Sequence, residues 1–447
     1  MHRQIPAARG IYCHLAFDYA VNFMYDKINK ESITGGAMRE EEMNHIKCAD
    51  RMQYVHSDIR GALFTEAMEM QERGIEILKL NTGNPAAFGF KLPKSIENAL
   101  VGQEEKGVGY CDFRGMPRAR EAICEYGRRK GIQGITPEDI FIGNGVSEVV
   151  SFALTPLLNP GDEVLVPAPS YSLWGNCVYL AGGRPVFYVC DESAHWYPDI
   201  RDIRSKVTDR TKAIVLINPN NPTGVLYPEE LLLQIAEIAR EHHLLVFSDE
   251  IYDRLVMDGL EHTSFAALAP DLPVVTTNGL SKSHCLCGYR CGWMVISGPG
   301  GLTKEYRQGI VQLTSMRLCS NTLAQLVIPA ALEDMETPFS MVRPGGRIYE
   351  QREAAAAELE KIEGLTFVKN DAAFYLFPKL DVKRFHITDD KRFAGDLLHA
   401  THILLVPGSG FDWPEPDHFR IVMLPQAEEL RHAMRKMGEF LDGYRQK

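Results

Sequence analysis

What this sequence lacks narrows its function first. No apolar run approaches the ~20 residues that cross a bilayer. The best candidate, LLLQIAEIAREHHLLVF, is interrupted by Glu237, Arg240 and Glu241, so no membrane partner is expected. Positive charge is scarce: 48 Lys and Arg stand against 59 Asp and Glu, a formal net charge of −11. Non-specific nucleic-acid binding needs clustered cations and is not expected either. The ten cysteines form no compact spacing framework, which points to reduced thiols in a cytoplasmic protein rather than a disulfide scaffold. The GxxxxGKS spacing of a nucleotide phosphate loop is absent, so ATP or GTP is not implied. There are no internal repeats and no low-complexity linker.

What is present is a chain of 447 residues with 45% apolar and 24% charged content, enough for a large core and two domains. The N-terminus begins basic and turns apolar, as a targeting peptide would, but Arg9 and Asp18 interrupt it and no small-residue cleavage site follows. The codons of Thr34-Gly35-Gly36-Ala37 can hold a purine-rich tract just before the ATG of Met38. Residues 1–37 are therefore expected to be leader translated from a misplaced start, within an N-terminal extension, 1–43, that is untranslated in the native protein or disordered.

From about residue 135 short β-rich runs alternate with helical patterns: DIFIGNG, DEVLVPAPSY, RPVFYVC, KAIVLINP, LLVFSDEIY, LPVVTTNG and GWMVIS, several separated by helices such as PEELLLQIAEIAREH. Such alternation predicts an α/β domain with a mainly parallel sheet covered by helices on both faces. After about residue 335 a long charged helix, GGRIYEQREAAAAELEKI, precedes shorter strand-like pieces and a final helix. The expected division is a large domain, 91–334, and a smaller α+β domain built from 44–90 and 335–447.

Ligands of such sheets sit beyond the C-terminal strand ends, so the polar residues there belong together. DIFIGNG leads into Val146 and Ser147 at a helix start, an anion site by virtue of free N–H groups and the helix dipole. Any strand–helix turn can use Gly and Ser, so that signal is weak alone. INPNNPTG, 217–224, fixes a sharp turn through two Asn-Pro pairs and holds the Asn221 amide at the sheet edge. In SDEIY, Asp249 is a partly buried carboxylate that needs a cation, although a helix cap is as fair a reading, and Tyr252 follows it.

NGLSKSHCLCGYRCGW, 278–293, places Lys282 and Arg290 in a small, apolar stretch. The simplest buried anion for the two to share is a phosphorylated cofactor. A lysine in an apolar pocket gives up its proton more readily and attacks aldehydes; arginine stays charged and grips phosphate. An acid for a heterocyclic nitrogen and a tyrosine for a phenolate oxygen complete the requirements of pyridoxal 5′-phosphate. Cys285, Cys287 and Cys291, with Cys319, lack paired C-x₂-C knuckles, and only His284 lies at ligand spacing. No metal is expected; small side chains packed under a cofactor explain them better.

With these markers in order (NTGNP, GYCDFRG, GNG, PAPSYSLW, NPNNPTG, SDEIY, GLSK…R and HFRIV) the sequence resembles the class I/II pyridoxal-phosphate aminotransferases of fold type I from about residue 50 onward. Within that family it looks most like the bacterial alanine (glutamate–pyruvate) transaminases, through LNTGNPAAFGF, SMRLCSN and WPEPDHFRIVMLP. Cys285 and Cys291 depart from the small or aliphatic residues usual at their places. The resemblance implies Lys282 as the Schiff-base lysine and proton shuttle, and Asp249 as partner of the pyridinium nitrogen. Asn221 and Tyr252 would bond the ring oxygen, and Tyr171 would stack on the ring. Val146, Ser147, Ser281 and Arg290 would hold the phosphate, and Tyr110 would reach the phosphate of a neighbouring subunit in a homodimer with shared sites. Arg420 would clamp the substrate α-carboxylate beneath the Gly83 backbone. For the distal carboxylate of glutamate, Arg60 is favoured over Arg317.

The implied activity is ping-pong exchange of an amino group between alanine/pyruvate and glutamate/2-oxoglutarate. Rival readings are a transaminase of aromatic or branched amino acids, a cysteine β-lyase on the same scaffold, and an aminotransferase-like transcription regulator. The last needs a basic DNA-binding module, and residues 1–49 are too short and not basic enough to supply one.

Overall fold

Eight strands of one sheet form where the sequence alternates β-branched and aromatic residues between Gly, Pro and Asn stops. They are β1 (Ile140–Asn144), β2 (Glu163–Ala168), β3 (Arg184–Asp191), β4 (Tyr197–Pro198), β5 (Thr211–Ile217), β6 (Leu245–Asp249), β7 (Val274–Gly279) and β8 (Cys291–Ser297). Their spatial order is β1-β8-β7-β6-β5-β2-β3-β4. β2 pairs in parallel with β3 and β5, and β6 with β5 and β7. β8 runs antiparallel to both of its neighbours. The computed structural model describes residues 46–447; the expected leader, 1–37, and the extension, 1–43, lie outside them. By its contacts the chain forms two units, Met1–Asp50 and Arg51–Lys447. In the first, the described residues 46–50 are exposed; all elements named below belong to the second.

Both faces of the sheet are covered, as the unbroken apolar runs require. Ile214 and Leu216 of β5 and Val246 of β6 pack into one core with Leu232 and Ile235. The alternate residues, Val215, Ile217 and Phe247, pack into another with Val149 and Trp174. Each large side chain so buried contributes about 1.5–3 kcal/mol. The flanking helices include α1 (Pro117–Arg129), α2 (Val146–Leu154), α3 (Leu173–Leu180), α4 (Glu229–Glu241) and the single turn α5 (Leu280–Ser283). The α4 stripe Leu231, Leu232, Ile235, Ala236, Ile238 and Ala239 is the buried face of a helix whose other side is charged.

The long helix expected after residue 335 is α6 (Arg347–Leu359), preceded by a separate short helix, Glu336–Val342. The backbone extends across Arg343, and the Pro344-Gly345-Gly346 corner keeps the two apart. Then come β9 (Tyr375–Leu376), α7 (Asp390–Thr401), β10 (Val406–Pro407), β11 (Phe419–Val422) and α8 (Ala427–Gly443). β11 lies between β9 and β10 in an antiparallel ribbon. Leu359, Phe393, Phe419, Ile421 and Met434 share a core with Leu80 from the N-terminal part of this unit. Among the described residues no helix is long and apolar enough to cross a membrane.

Candidate active site

Four sequence-predicted pieces meet at one edge of the large sheet, where β1, β5, β6 and β7 end and the antiparallel β8 begins. Asp249 is the last residue of β6 and only 4% exposed. Its carboxylate accepts a hydrogen bond from Trp174 Nε1 at 3.0 Å and a longer one from the Ile251 amide at 3.4 Å. Among the described residues no basic side chain pairs with it. Burial pushes its pKa up to about 6, against the pull of those donors. The sequence placed it as partly buried, with a capping role as an alternative; it is enclosed, and no cation among the described residues pairs with it.

The opposite charge is buried nearby on β11. Arg420 is 1% exposed, and its Nη1 donates to Asn221 Oδ1 at 3.0 Å while Nη2 donates to the Asn81 carbonyl. The guanidinium lies over the rings of Tyr375 and Phe411, 4.7 Å from each centroid. Its Nε has no partner, and among the described residues no carboxylate meets it. Burial lowers its pKa below the ordinary arginine value. A buried guanidinium held by neutral acceptors and aromatic faces is a ready receptor for an external carboxylate. Tyr252, 3% exposed, bonds its hydroxyl to that of Tyr375 at 2.8 Å.

Lys282 sits on α5, one turn beyond β7, and reaches back so that Nζ donates to the Gly83 carbonyl at 2.9 Å. Phe374 lies 5.8 Å from the ammonium and Cys287 Sγ 4.0 Å. Here the sequence expectation is corrected. Burial does lower the Lys282 pKa, but Tyr375, Cys287 and Tyr171 outweigh it, and the net shift is upward. The pocket without ligand therefore holds the lysine proton rather than shedding it. A Cβ on Gly83 would come within 2.5 Å of the Tyr375 hydroxyl, so the close approach over Lys282 needs glycine.

The turn ahead of α2 and Arg290, both expected to hold a phosphate, lie against each other. Gly145, at φ 82°, caps α2, whose first amides belong to Val146 and Ser147. A Cβ on Gly292 would stand 2.5 Å from the Val146 nitrogen, and one on Gly145 would strike the Arg290 guanidinium. Arg290 bonds the carbonyls of Cys287 and Asn144. The shared anion was expected to be buried; Arg290 is exposed and Ser281 and Lys282 half-buried, so this end of the site opens to solvent. The reason is that Arg290 precedes β8 on the rim of the sheet.

Tyr171 is half-buried and acts electrostatically on both Lys282 and Arg420. Tyr110 is 82% exposed. Arg60 closes the short turn Asp58–Arg60 and is exposed. The preceding carbonyl, of Ile59, accepts from Asn81, the residue whose own carbonyl takes Arg420. Arg317 is occupied instead: Nη1 pairs with Glu148 at 2.5 Å and Nη2 bonds two carbonyls. Cys285 contacts Met341 and Cys291 lies buried in β8, so the three cysteines do not converge. Among the described residues the group of potential metal ligands is Glu250, Asp253 and His262, without a cysteine.

Trp174, Tyr375, Phe374 and Asn81 were not singled out from the sequence. Trp174 closes PSYSLW, three residues after Tyr171, and that adjacency was a usable signal. Tyr375 sits in an apolar strand, where nothing in the pattern distinguishes it from core.

The model of the aminotransferase class I and II family matches residues 75–437. The chain is 48% identical over 404 residues to glutamate-pyruvate aminotransferase AlaA of Escherichia coli strain K12, spanning 90% of this chain and all of that protein. A solved aminotransferase from Escherichia coli superposes with a TM-score of 0.89 at 48% identity, covering 90% of this chain and 100% of the other. An alanine aminotransferase from Pyrococcus furiosus gives 0.84 at 40% identity, with 89% and 100% covered.

Proposed function

Because the chain belongs to the class I and II aminotransferases, we propose that it exchanges an amino group between L-alanine/pyruvate and L-glutamate/2-oxoglutarate. The reading is supported by relatives named for glutamate–pyruvate and alanine transamination. One observation carries it: a buried carboxylate, Asp249, and a buried guanidinium, Arg420, both act electrostatically on the Tyr252 hydroxyl, and among the described residues neither has a counter-ion. Burying two such unpaired charges is costly unless a ligand supplies a cation to one and an anion to the other. A protonated pyridine and an amino-acid carboxylate meet both demands.

The cofactor is pyridoxal 5′-phosphate, which supplies an electron sink for the substrate Cα–H bond. Asp249 would hold positive charge at the ring nitrogen, and Asn221 and Tyr252 would hydrogen-bond the ring oxygen. Tyr171 would cover the ring face. The amides of Val146 and Ser147, with Ser281 and Arg290, would bind the phosphate. Lys282 would anchor the cofactor and accept the substrate Cα proton at Nζ. Arg420 would fix the α-carboxylate, Gly83 would close over it, and Arg60 would reach the distal carboxylate of glutamate.

Tyr110 belongs to this proposal through a homodimer, donating its hydroxyl to the partner's phosphate. The exposed apolar side chains of Val108, Tyr110 and Met316, at 84%, 82% and 75%, support such a face. The division into a large domain, 91–334, and a smaller one, 44–90 with 335–447, rests on the separate core around Leu359 and Phe393. A cytoplasmic location rests on the sequence alone, through cysteines without a disulfide framework. The activity is tested by a panel of amino acids with 2-oxoglutarate. Alanine should be the best donor; a preference for aromatic or branched donors would displace it.

A further inference from the structure

A buried ion cluster lies directly behind the cofactor pocket and takes no part in the chemistry above. Lys130, the C-cap of α1, extends Nζ to Glu250 Oε2 at 2.5 Å and to Asp253 Oδ2 at 2.6 Å. The side chains are 14%, 0% and 2% exposed, respectively. Both carboxylates are also bonded elsewhere, Asp253 through the same oxygen that faces the lysine and Glu250 through its other one. Asp253 Oδ2 accepts from Tyr126 Oη at 2.6 Å and Asn278 Nδ2 at 2.9 Å. Glu250 Oε1 accepts from the hydroxyls of Ser248 and Ser264.

The placement of these residues along the chain is informative. Glu250 follows Asp249, and Asp253 follows Tyr252, so one ammonium grips both ends of the turn that carries two cofactor-facing residues. Asn278 binds the same cluster and then caps Gly279 through Oδ1 at 2.7 Å, three residues before Lys282. We propose that Lys130 is a positioning residue for the active site, locking through Glu250 and Asp253 the turn that aims Asp249 and Tyr252 and, through Asn278, the turn that aims Lys282.

The charge balance supports more than mere packing. Lys130, Glu250 and Asp253 together carry one net negative charge. His262 and His284, which face the cluster, are kept neutral by burial, and Arg254 directs its guanidinium to the carbonyls of Ala331 and Asp334. Glu250 adds to the upward shift of Asp249. An external metal is not needed where the carboxylates converge, because Lys130 already occupies that point. Burial alone would neutralise the lysine, but the two carboxylates outweigh it and hold it charged.

This inference rests on the assignment of Asp249 and Tyr252 to the cofactor. Its test uses the holoenzyme of Lys130→Met/Glu250→Gln, which keeps the cluster's net charge and deletes the grip. Against wild type, kcat for alanine should fall about tenfold with KM within about threefold. The pH midpoint of the resting enzyme's visible absorbance should also move by about half a unit or more. Lys130→Arg, which can still bridge two carboxylates, should restore kcat to within about twofold. Unchanged kcat and midpoint in the double variant would overturn the proposal, even if its melting temperature fell. Should that variant not fold, Tyr126→Phe removes one donor to Asp253 and decides: a kcat about twofold to fivefold lower with a shifted midpoint supports the proposal, and wild-type values overturn it. Asp249→Asn separates the two levels: wild-type rates there would remove the assignment itself, whereas lost activity there with an inert Lys130 variant removes this inference alone.

Discussion

Tyr252 and Tyr375 join hydroxyl to hydroxyl at 2.8 Å, and the ring of Tyr375 is also the face on which Arg420 rests. One buried phenol thus links Tyr252, proposed to face the cofactor, to Arg420, proposed to hold the substrate carboxylate. Tyr375→Phe keeps the ring and its packing and deletes only the link. The expected outcome is a melting temperature lowered slightly, because the buried Tyr252 hydroxyl loses its partner, and a kcat/KM for alanine about tenfold lower. Steady-state kinetics beside thermal denaturation check this; equal kcat/KM would mean that the two sides act independently.

Asp249→Asn should separate stability from function. The folded-state pKa of Asp249 is raised from 3.8 to about 6 by burial. An acid so shifted loses its proton first in the unfolded chain, so the cofactor-free protein loses stability as pH rises from 3.8 through about 6, then levels off. Above that window the Asn variant, free of cofactor, should be more stable than wild type by on the order of 2 kcal/mol. With cofactor bound it should transaminate several orders of magnitude more slowly, because an amide cannot hold the ring nitrogen protonated. Denaturation of both cofactor-free proteins at neutral pH is the check, and a less stable Asn variant would contradict it.

Arg60 and Arg317 should respond differently to substitution by Met. Arg60 is exposed, on a turn tied to Asn81 and flanked by His56, whose contacts with Asp412 and Asp58 raise its pKa to about 9. Arg60→Met should raise KM for 2-oxoglutarate about tenfold or more and KM for pyruvate little. Arg317 already pairs with Glu148, so Arg317→Met should affect both substrates alike, through stability. A selective effect at Arg317 instead would reassign the distal carboxylate.

Much of this was legible in the sequence for a physical reason. Residues at strand ends have no freedom to be elsewhere: the runs ending at Asn144, Ile217, Asp249 and Gly279 fix which polar residues line one sheet edge. Arg420 and Gly83 came from resemblance, not periodicity, because they arrive from outside that sheet. Tyr375 stayed hidden inside an apolar strand, and Lys130 looked like any basic residue at a helix end. The direction of the Lys282 shift could not be read from an apolar stretch, since it depends on Tyr375 and Tyr171, distant in sequence. The exposure of Arg290, where a buried anion was expected, was not legible because small neighbours in sequence do not determine where the sheet rim lies.

The central claim is that Lys282 serves one cofactor that carries the amino group between two substrates. It is tested most directly by a half-reaction: holoenzyme mixed with alanine alone, following visible absorbance and pyruvate. The resting absorbance should be lost with about one pyruvate per chain, then recover with release of glutamate when 2-oxoglutarate is added. Lys282→Ala should fold, lack the resting absorbance and release no more than a trace. Continuous pyruvate formation without a second substrate, or turnover surviving in Lys282→Ala, would contradict it.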